Sequence, residues 1–264
     1  MNTASLFRLD SKVAAIVGAG SGIGEATARM AADLGAQVVC LDVNAANVEA
    51  TANAIKAAGG KAESAVIDIR DGALVKKCFD DIAARLGGLD IAVCTPAINV
   101  RKKILDYTEE EFDRVMAVNM RGNFNVLQSA GRIMTAQKRG SIVLYSSIRS
   151  QTVEPGQSAY AATKAGILQM VKTAASEFGY AGVRVNAIGP GVIDTPLTAP
   201  IKNNTAWYEA YAAKSIMKRW GLPEEVAAAT LFLCAPAASY ITGTILFVDG
   251  GWTAHDGRFT PPGM

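Results

Sequence analysis

The sequence predicts one α/β domain, a doubly wound sheet of about seven parallel strands with helices on both faces. Three observations carry this. Short β-branched runs alternate with longer stretches along all 264 residues. The runs are short and apolar, often on both parities, as strands covered on both faces should be. The stretches between them carry helical spacing, and no repeat, low-complexity tract or linker interrupts the alternation.

The first run is Val13–Val17, ending at Gly18, and the helix after it spans 24–34. A strand at 37–41 precedes a helix at 45–58, and a strand at 62–67 precedes a helix at 71–86. The fourth strand, Ile91–Cys94, leads to one long helix at 109–137. There Phe112, Val115, Met116 and Met120 recur at helical spacing, and Thr108 with Glu111 forms a capping-box candidate. Strands at 141–144 and 183–187 flank a helix at 159–178, and a helix at 224–233 precedes the last strand, Ile245–Val248. The irregular insert 190–222 carries Trp207, Tyr208, Tyr211 and Trp220. It is either a substrate lid or a surface excursion with small helices of its own.

Composition narrows the function. Half the residues are hydrophobic and 19% are charged, below the roughly 25% usual in soluble domains. That excludes disorder and points to surface hidden in an oligomer. A net charge of +2 without a basic run excludes a nucleic-acid partner. The one histidine, His255, excludes a metal site or catalytic dyad built on two imidazoles, and no metal is expected. Cys40, Cys78, Cys94 and Cys234 are scattered and read as buried thiols of a reducing compartment. No apolar run reaches the ~18 residues of a membrane span. Residues 1–12 lack the apolar core of a signal peptide, so a cytoplasmic location is expected.

Gly18, Gly20, Gly22 and Gly24 stand between the first strand and the first helix. Glycine there permits a tight turn and lets backbone N–H groups approach a pyrophosphate, with the helix N-terminus adding its positive end. This is the arrangement of Rossmann-type dinucleotide-binding domains. Asp42 ends the second strand, placed to accept hydrogen bonds from ribose hydroxyls and to repel a 2′-phosphate; the alternative is a helix N-cap. Ser21 and Val43 are not basic, so NAD is favoured over NADP. Asp68, followed by Ile69, either meets the adenine edge or caps the next helix.

Tyr160 and Lys164 lie four apart, on one helix face. Lowering a phenol's pKa by about three units takes roughly 4 kcal/mol. An ammonium about 4 Å away supplies that at an effective dielectric near 20. The pair can replace the missing histidine, although such spacing also arises by chance.

With these residues assembled, the chain resembles the short-chain dehydrogenase/reductase family over essentially its full length. The resemblance rests on Gly18, Gly22 and Gly24, Asn119, Ser147 thirteen residues before Tyr160, the Tyr160/Lys164 pair, the run from Asn186 to Gly191, and Asp249-Gly250-Gly251. It implies one NAD-binding catalytic domain over 1–264, with a lid at 190–222 and a tail at 252–264. Tyr160 is then the general acid/base, Lys164 lowers its pKa and binds the nicotinamide ribose, Ser147 polarises the reacting oxygen, and Asn119 holds a water leading from Lys164. It further implies that the cofactor meets Gly18, Ser21, Gly22, Ile23, Gly24, Asp42, Asp68, Ile69, Tyr160, Lys164, Pro190 and Gly191. Backbone at Val192 and Ile193 and the Thr195 hydroxyl would grip the carboxamide. A homotetramer follows, with helices 109–137 and 159–178 pairing with their copies, and an Ala-rich face (Ala161, Ala162, Ala165, Ala174, Ala175) suited either to that approach or to the subunit's own sheet. Two departures stand out. Val17 replaces the usual Thr. Cys94-Thr95-Pro96-Ala97 replaces Asn-Asn-Ala-Gly, so buried groups there need other partners.

Within the family, Arg219 to Pro223 and Val248 to Trp252 are most similar to gluconate 5-dehydrogenases and related sugar-acid and polyol dehydrogenases. Arg101 and Arg149 are candidates for a substrate carboxylate, against solvated arginines. Asn99, Glu154 and Gln157 are candidates for hydroxyls. The expected activity is hydride exchange between NAD and a small sugar acid or polyol. The alternatives are a bulkier apolar alcohol (a hydroxysteroid or an acyl thioester) and a non-catalytic cofactor-binding subunit.

Overall fold

The computed structural model describes residues 3–254. Seven parallel strands form one sheet in the order β3-β2-β1-β4-β5-β6-β7. In chain order the elements are β1 (Val13–Val17), α1 (Gly22–Asp33), β2 (Gln37–Asp42), α2 (Ala45–Ala57), β3 (Lys61–Val66), α3 (Gly72–Leu86), β4 (Ile91–Cys94), α4 (Glu109–Met116) and α5 (Asn123–Gln137). After these come β5 (Gly140–Tyr145), α6 (Ser158–Phe178), β6 (Val183–Pro190), α7 (Ala199–Lys202), α8 (Thr205–Lys214), α9 (Pro223–Cys234) and β7 (Ile245–Val248).

Strand alternation builds two cores. Val13, Ala15 and Val17 of β1 face α3, α5 and α6 through Phe79, Val126 and Ile167. Ala14 and Ile16 face α1, α2 and α9 through Ala28, Ile55 and Val226. Central strands are therefore apolar on both parities. The edge strand β3 departs from that expectation, because only one neighbour covers it. Its residues are exposed or half-buried, and Glu63 pairs with Arg85 at 2.6 Å.

The long helix expected over 109–137 is interrupted. The capping box at Thr108 and Glu111 forms, but Ala117–Gly122 widens into a π-helical turn between α4 and α5. Asn119 leaves the regular spiral there, and the Asn123 side chain donates to its carbonyl at 2.9 Å. Of the apolar stripe, Val115 is fully buried, whereas Phe112 is half exposed. The Ala-rich face of α6 divides as well: Ala174 and Ala175 pack on the sheet, while Ala162 and Ala165 are exposed.

The segment 190–222 has small helices of its own and is pinned to itself. Trp220 is buried and stacks on Tyr208 at 4.7 Å. Of the tail, Trp252 is buried; the expectation for residues 255–264, His255 included, lies outside the described residues. The four cysteines are free, and burial pushes the thiols of Cys40, Cys94 and Cys234 up to about 12. No helix among the described residues is long and apolar enough to cross a membrane.

Candidate active site

The strand order reverses between β1 and β4, and a crevice opens beyond their carboxyl ends, as it does at such a switch point. The crevice encloses about 400 Å³. Gly18, Ser21, Gly22, Ile23, Gly24, Asp42, Asp68, Ile69 and Thr195 line it together. Sequence spacing placed all but Thr195 at a strand end or helix start, Thr195 came with the family resemblance, and the fold brings them to one wall.

The glycine loop is tightly closed. Gly18 has φ +86°, and a Cβ there would sit 2.2 Å from Thr95 Oγ1; a Cβ on Gly24 would sit 2.0 Å from the Gly18 carbonyl. The Ser21 side chain makes no cap to α1, which leaves first-turn N–H groups beside the crevice for an anion. Asp42 shapes this loop as well as lining it. One carboxylate oxygen accepts from the Gly20 N–H at 2.9 Å and the other from the Asn44 N–H at 2.9 Å. It is Asn44, not Asp42, that caps α2. Asp68 is held by Arg70 at 2.6 Å, and that pairing lowers its carboxyl below the usual range. Arg70 also lines the crevice. The sequence reading missed it, because its side chain folds back over two residues to reach the wall. Thr195 lies against Gly22, and its N–H donates to Thr198 Oγ1 at 3.1 Å. Free amides beside a slot walled by apolar side chains fit a dinucleotide.

Thr95 answers the departure after β4. Its N–H and hydroxyl both donate to the Val17 carbonyl at 3.1 Å, so the lost amide side chains are replaced locally. Pro190, at the end of β6, is buried. Ile193 packs beside Gly221 rather than in the crevice. Gly191 lines a second chamber instead.

That chamber, about 290 Å³, holds Ser147 and Tyr160 with Asn99, Arg101, Arg149, Gln157 and Trp207. Leu197 lines both cavities. Burial raises the Tyr160 phenol above its ordinary value; a hydrogen bond with Ser147 and the charges of Arg149 and Arg101 pull against it. Lys164 is arranged differently from the expectation. It is 1% exposed, its Nζ donates to the Tyr145 carbonyl at 2.7 Å, and it sits 5.5 Å from the Tyr160 ring centroid. Burial lowers its pKa to about 8. The cations acting on the phenol are therefore the arginines of the chamber.

Asn119 is fully buried with its amide engaged. Oδ1 accepts from the Ile98 N–H at 2.9 Å, and Nδ2 donates to the Ile98 carbonyl at 2.9 Å and to Thr163 Oγ1 at 3.2 Å. It braces the loop after β4, next to the glycine loop.

Both candidate arginines meet an internal carboxylate. Arg149 Nη2 lies 2.5 Å from Glu154, and Arg101 lies 3.4 Å from it. Tyr211 of α8 donates to the same carboxylate at 2.6 Å. Arg149 is 8% exposed and lies over Trp252, 5.7 Å from the ring centroid. Arg101 keeps a third of its side chain exposed and lies 5.1 Å from the Trp207 ring. Arg101 is thus the more available cation.

Comparisons agree with this geometry. Residues 18–253 match the family model described as enoyl-(acyl carrier protein) reductase. A 3-oxoacyl-(acyl-carrier-protein) reductase of Thermotoga maritima is 36% identical over 244 residues, covering 92% of this chain and 98% of that protein. A galactitol 2-dehydrogenase (L-tagatose-forming) of Cereibacter sphaeroides is 36% identical over 255 residues, covering 96% and 99%. The crystal structure of a gluconate 5-dehydrogenase from Burkholderia cenocepacia J2315, in complex with NADP and tartrate, superposes with a TM-score of 0.93 at 32% identity, covering 96% and 100%. These relatives act on CH–OH groups or the matching ketones, and the architecture is theirs throughout: the chain belongs to the short-chain dehydrogenase/reductase family of oxidoreductases.

Proposed function

We propose that the protein is an NAD-linked dehydrogenase of a small hydroxylated substrate, a sugar acid or polyol. One observation carries this reading: a chamber with Ser147 and Tyr160 in its wall, and with charged and amide side chains beside them, adjoins the dinucleotide crevice across Leu197. Gly18, Ser21, Gly22, Ile23, Gly24, Asp68, Ile69 and Thr195 would hold the dinucleotide, and Asp42 would take the ribose hydroxyls and repel a 2′-phosphate. A bound nicotinamide supplies the acceptor or donor of the hydride. Ser147 hydrogen-bonds the reacting oxygen and fixes it against Tyr160. Tyr160, as the phenolate, takes the alcohol proton on its Oη during oxidation; as the phenol, it gives one back during reduction. Lys164 steadies the end of β5 through the Tyr145 carbonyl, while Arg149 and Arg101 supply the positive charge beside the phenol. Asn119 keeps the wall between loop and chamber in place. Residues 190–222 cover the substrate, with Trp207 over Arg101.

Reduction of a 3-oxoacyl thioester is the second reading, supported by the family description and the Thermotoga relative. The charged and amide side chains of the chamber and the carboxylate of Asp42 weigh against it. We also infer a homotetramer, supported by exposed Phe112, Phe124, Ala162 and Ala165 on α4, α5 and α6, the helices that would pair. Turnover measured through nicotinamide absorbance, with NAD and NADP against sugar acids, alditols, hydroxysteroids and a 3-oxoacyl thioester, tests the reading. NAD-linked oxidation of a sugar acid or alditol is expected, with Tyr160→Phe inactive yet still binding NAD. NADP preference refutes the role of Asp42, and thioester reduction alone refutes the substrate class.

A further inference from the structure

We infer that Asn99 is a specificity-determining residue whose side-chain oxygen accepts a hydrogen bond from a second hydroxyl of the substrate, neighbouring the one that reacts. This rests on the reading of a hydroxylated substrate.

The direction of a short amide relay carries the inference. Glu154, ionised between two arginines, can only accept. Gln157 must therefore present its NH₂ group to it, and does so at 2.5 Å. That fixes the Gln157 carbonyl toward Asn99, whose NH₂ donates to it at 3.1 Å. The orientation of both amides, usually a matter of network logic, is here set by a charge at one end. The relay consequently ends on the Asn99 oxygen as an acceptor. That oxygen is buried and has no hydrogen-bond partner.

A buried acceptor left without a donor forfeits the hydration it had in water and regains nothing for it. Asn99 lines the same chamber as Ser147 and Tyr160. A ligand that brings a hydroxyl to it regains the missing bond; one with a methylene there leaves the oxygen unpaired and loses affinity in the transition state as well. A ketone or thioester carbonyl would face it oxygen to oxygen. The chamber thus selects a vicinal diol, and the hydroxyketone formed from it by oxidation, over a lone alcohol.

The test uses a minimal pair, butane-2,3-diol and butan-2-ol, which differ in one hydroxyl. The wild-type ratio of kcat/KM, diol over mono-alcohol, is expected to be about 30-fold or more. In Asn99→Leu the diol should lose at least about tenfold more than the mono-alcohol. Asn99→Thr, which restores an oxygen at the position, should recover part of the ratio. Thermal melts of both variants establish that they fold; if Asn99→Leu does not, the wild-type ratio and Asn99→Thr carry the test. Equal turnover of diol and mono-alcohol by the wild type, no turnover of the diol, or an equal loss on both substrates in a folded variant overturns the inference. Failure of the sugar-acid and polyol reading looks different: the larger substrates are inactive while the small pair still discriminates.

Discussion

Lys164 carries its ammonium in a site with almost no solvent, on a backbone carbonyl. Its pKa falls from 10.5 to about 8, and the sign of the consequence is fixed. Between pH 8 and 10.5 the unfolded chain holds a proton on this lysine that the folded chain has released, so stability rises with pH across that window. Below about pH 8 the full cost of the buried charge is present. Lys164→Met should therefore gain most in melting temperature relative to wild type at pH 7, and the gain should shrink by pH 10. A pH-independent difference would refute this. Arg149 acts on the phenol instead: it lowers the Tyr160 pKa, so Arg149→Met should move the acidic limb of the kcat/KM profile to higher pH. Local signals made the glycine loop, Asp42 and the Tyr160/Lys164 pair legible, and Ser147 came only with the family resemblance. Glu154 was legible only as a candidate for hydroxyls; its pairing with Arg101 and Tyr211 gave no sign, since they meet it from 53 and 57 residues away.

At the scale of elements, the π-helical turn at Ala117–Gly122 is where spacing misled. A helical period continues through 109–137 in sequence, but one widened turn takes Asn119 off that period and seats its amide on Ile98. Such turns often mark functional positions. Asn119→Ala should cost about 1–3 kcal/mol in unfolding free energy, as loop groups lose their partners, with a matching rise in KM for the dinucleotide. Helix α8 is tied to the chamber by Tyr211 on Glu154 and Trp207 over Arg101. Trp207→Ala should raise the KM for substrate several-fold, with little change in NAD affinity; an unchanged KM would separate α8 from the substrate. Aromatic residues in the insert gave notice of packing, but which of them faces the chamber depends on the turn made around Trp220.

For the whole molecule, strand–helix alternation sufficed to give a parallel doubly wound sheet, because parallel strands require crossovers and crossovers keep one hand. Edges were less legible: Lys61, Glu63 and Ser64 mark β3 as an edge, a polarity that grouping it with the apolar runs passes over. Quaternary structure follows the same logic. Ala162 and Ala165 leave α6 flat and exposed, which suits close approach of a second copy. Ala165→Arg should reduce the mass measured by sedimentation from that of a tetramer to that of a dimer or monomer. A wild-type monomer would refute the assembly, and an unchanged tetramer would remove α6 from the interface.

The buried cysteines give the sheet a clock. With their thiols held up to about 12 at Cys40, Cys94 and Cys234, almost no thiolate is available to an alkylating reagent in the folded state. Cys94 ends β4, beside the strand at which the crevice opens. Its labelling at neutral pH therefore counts openings of the sheet centre, and a ligand seated in the crevice should lengthen the interval between counts.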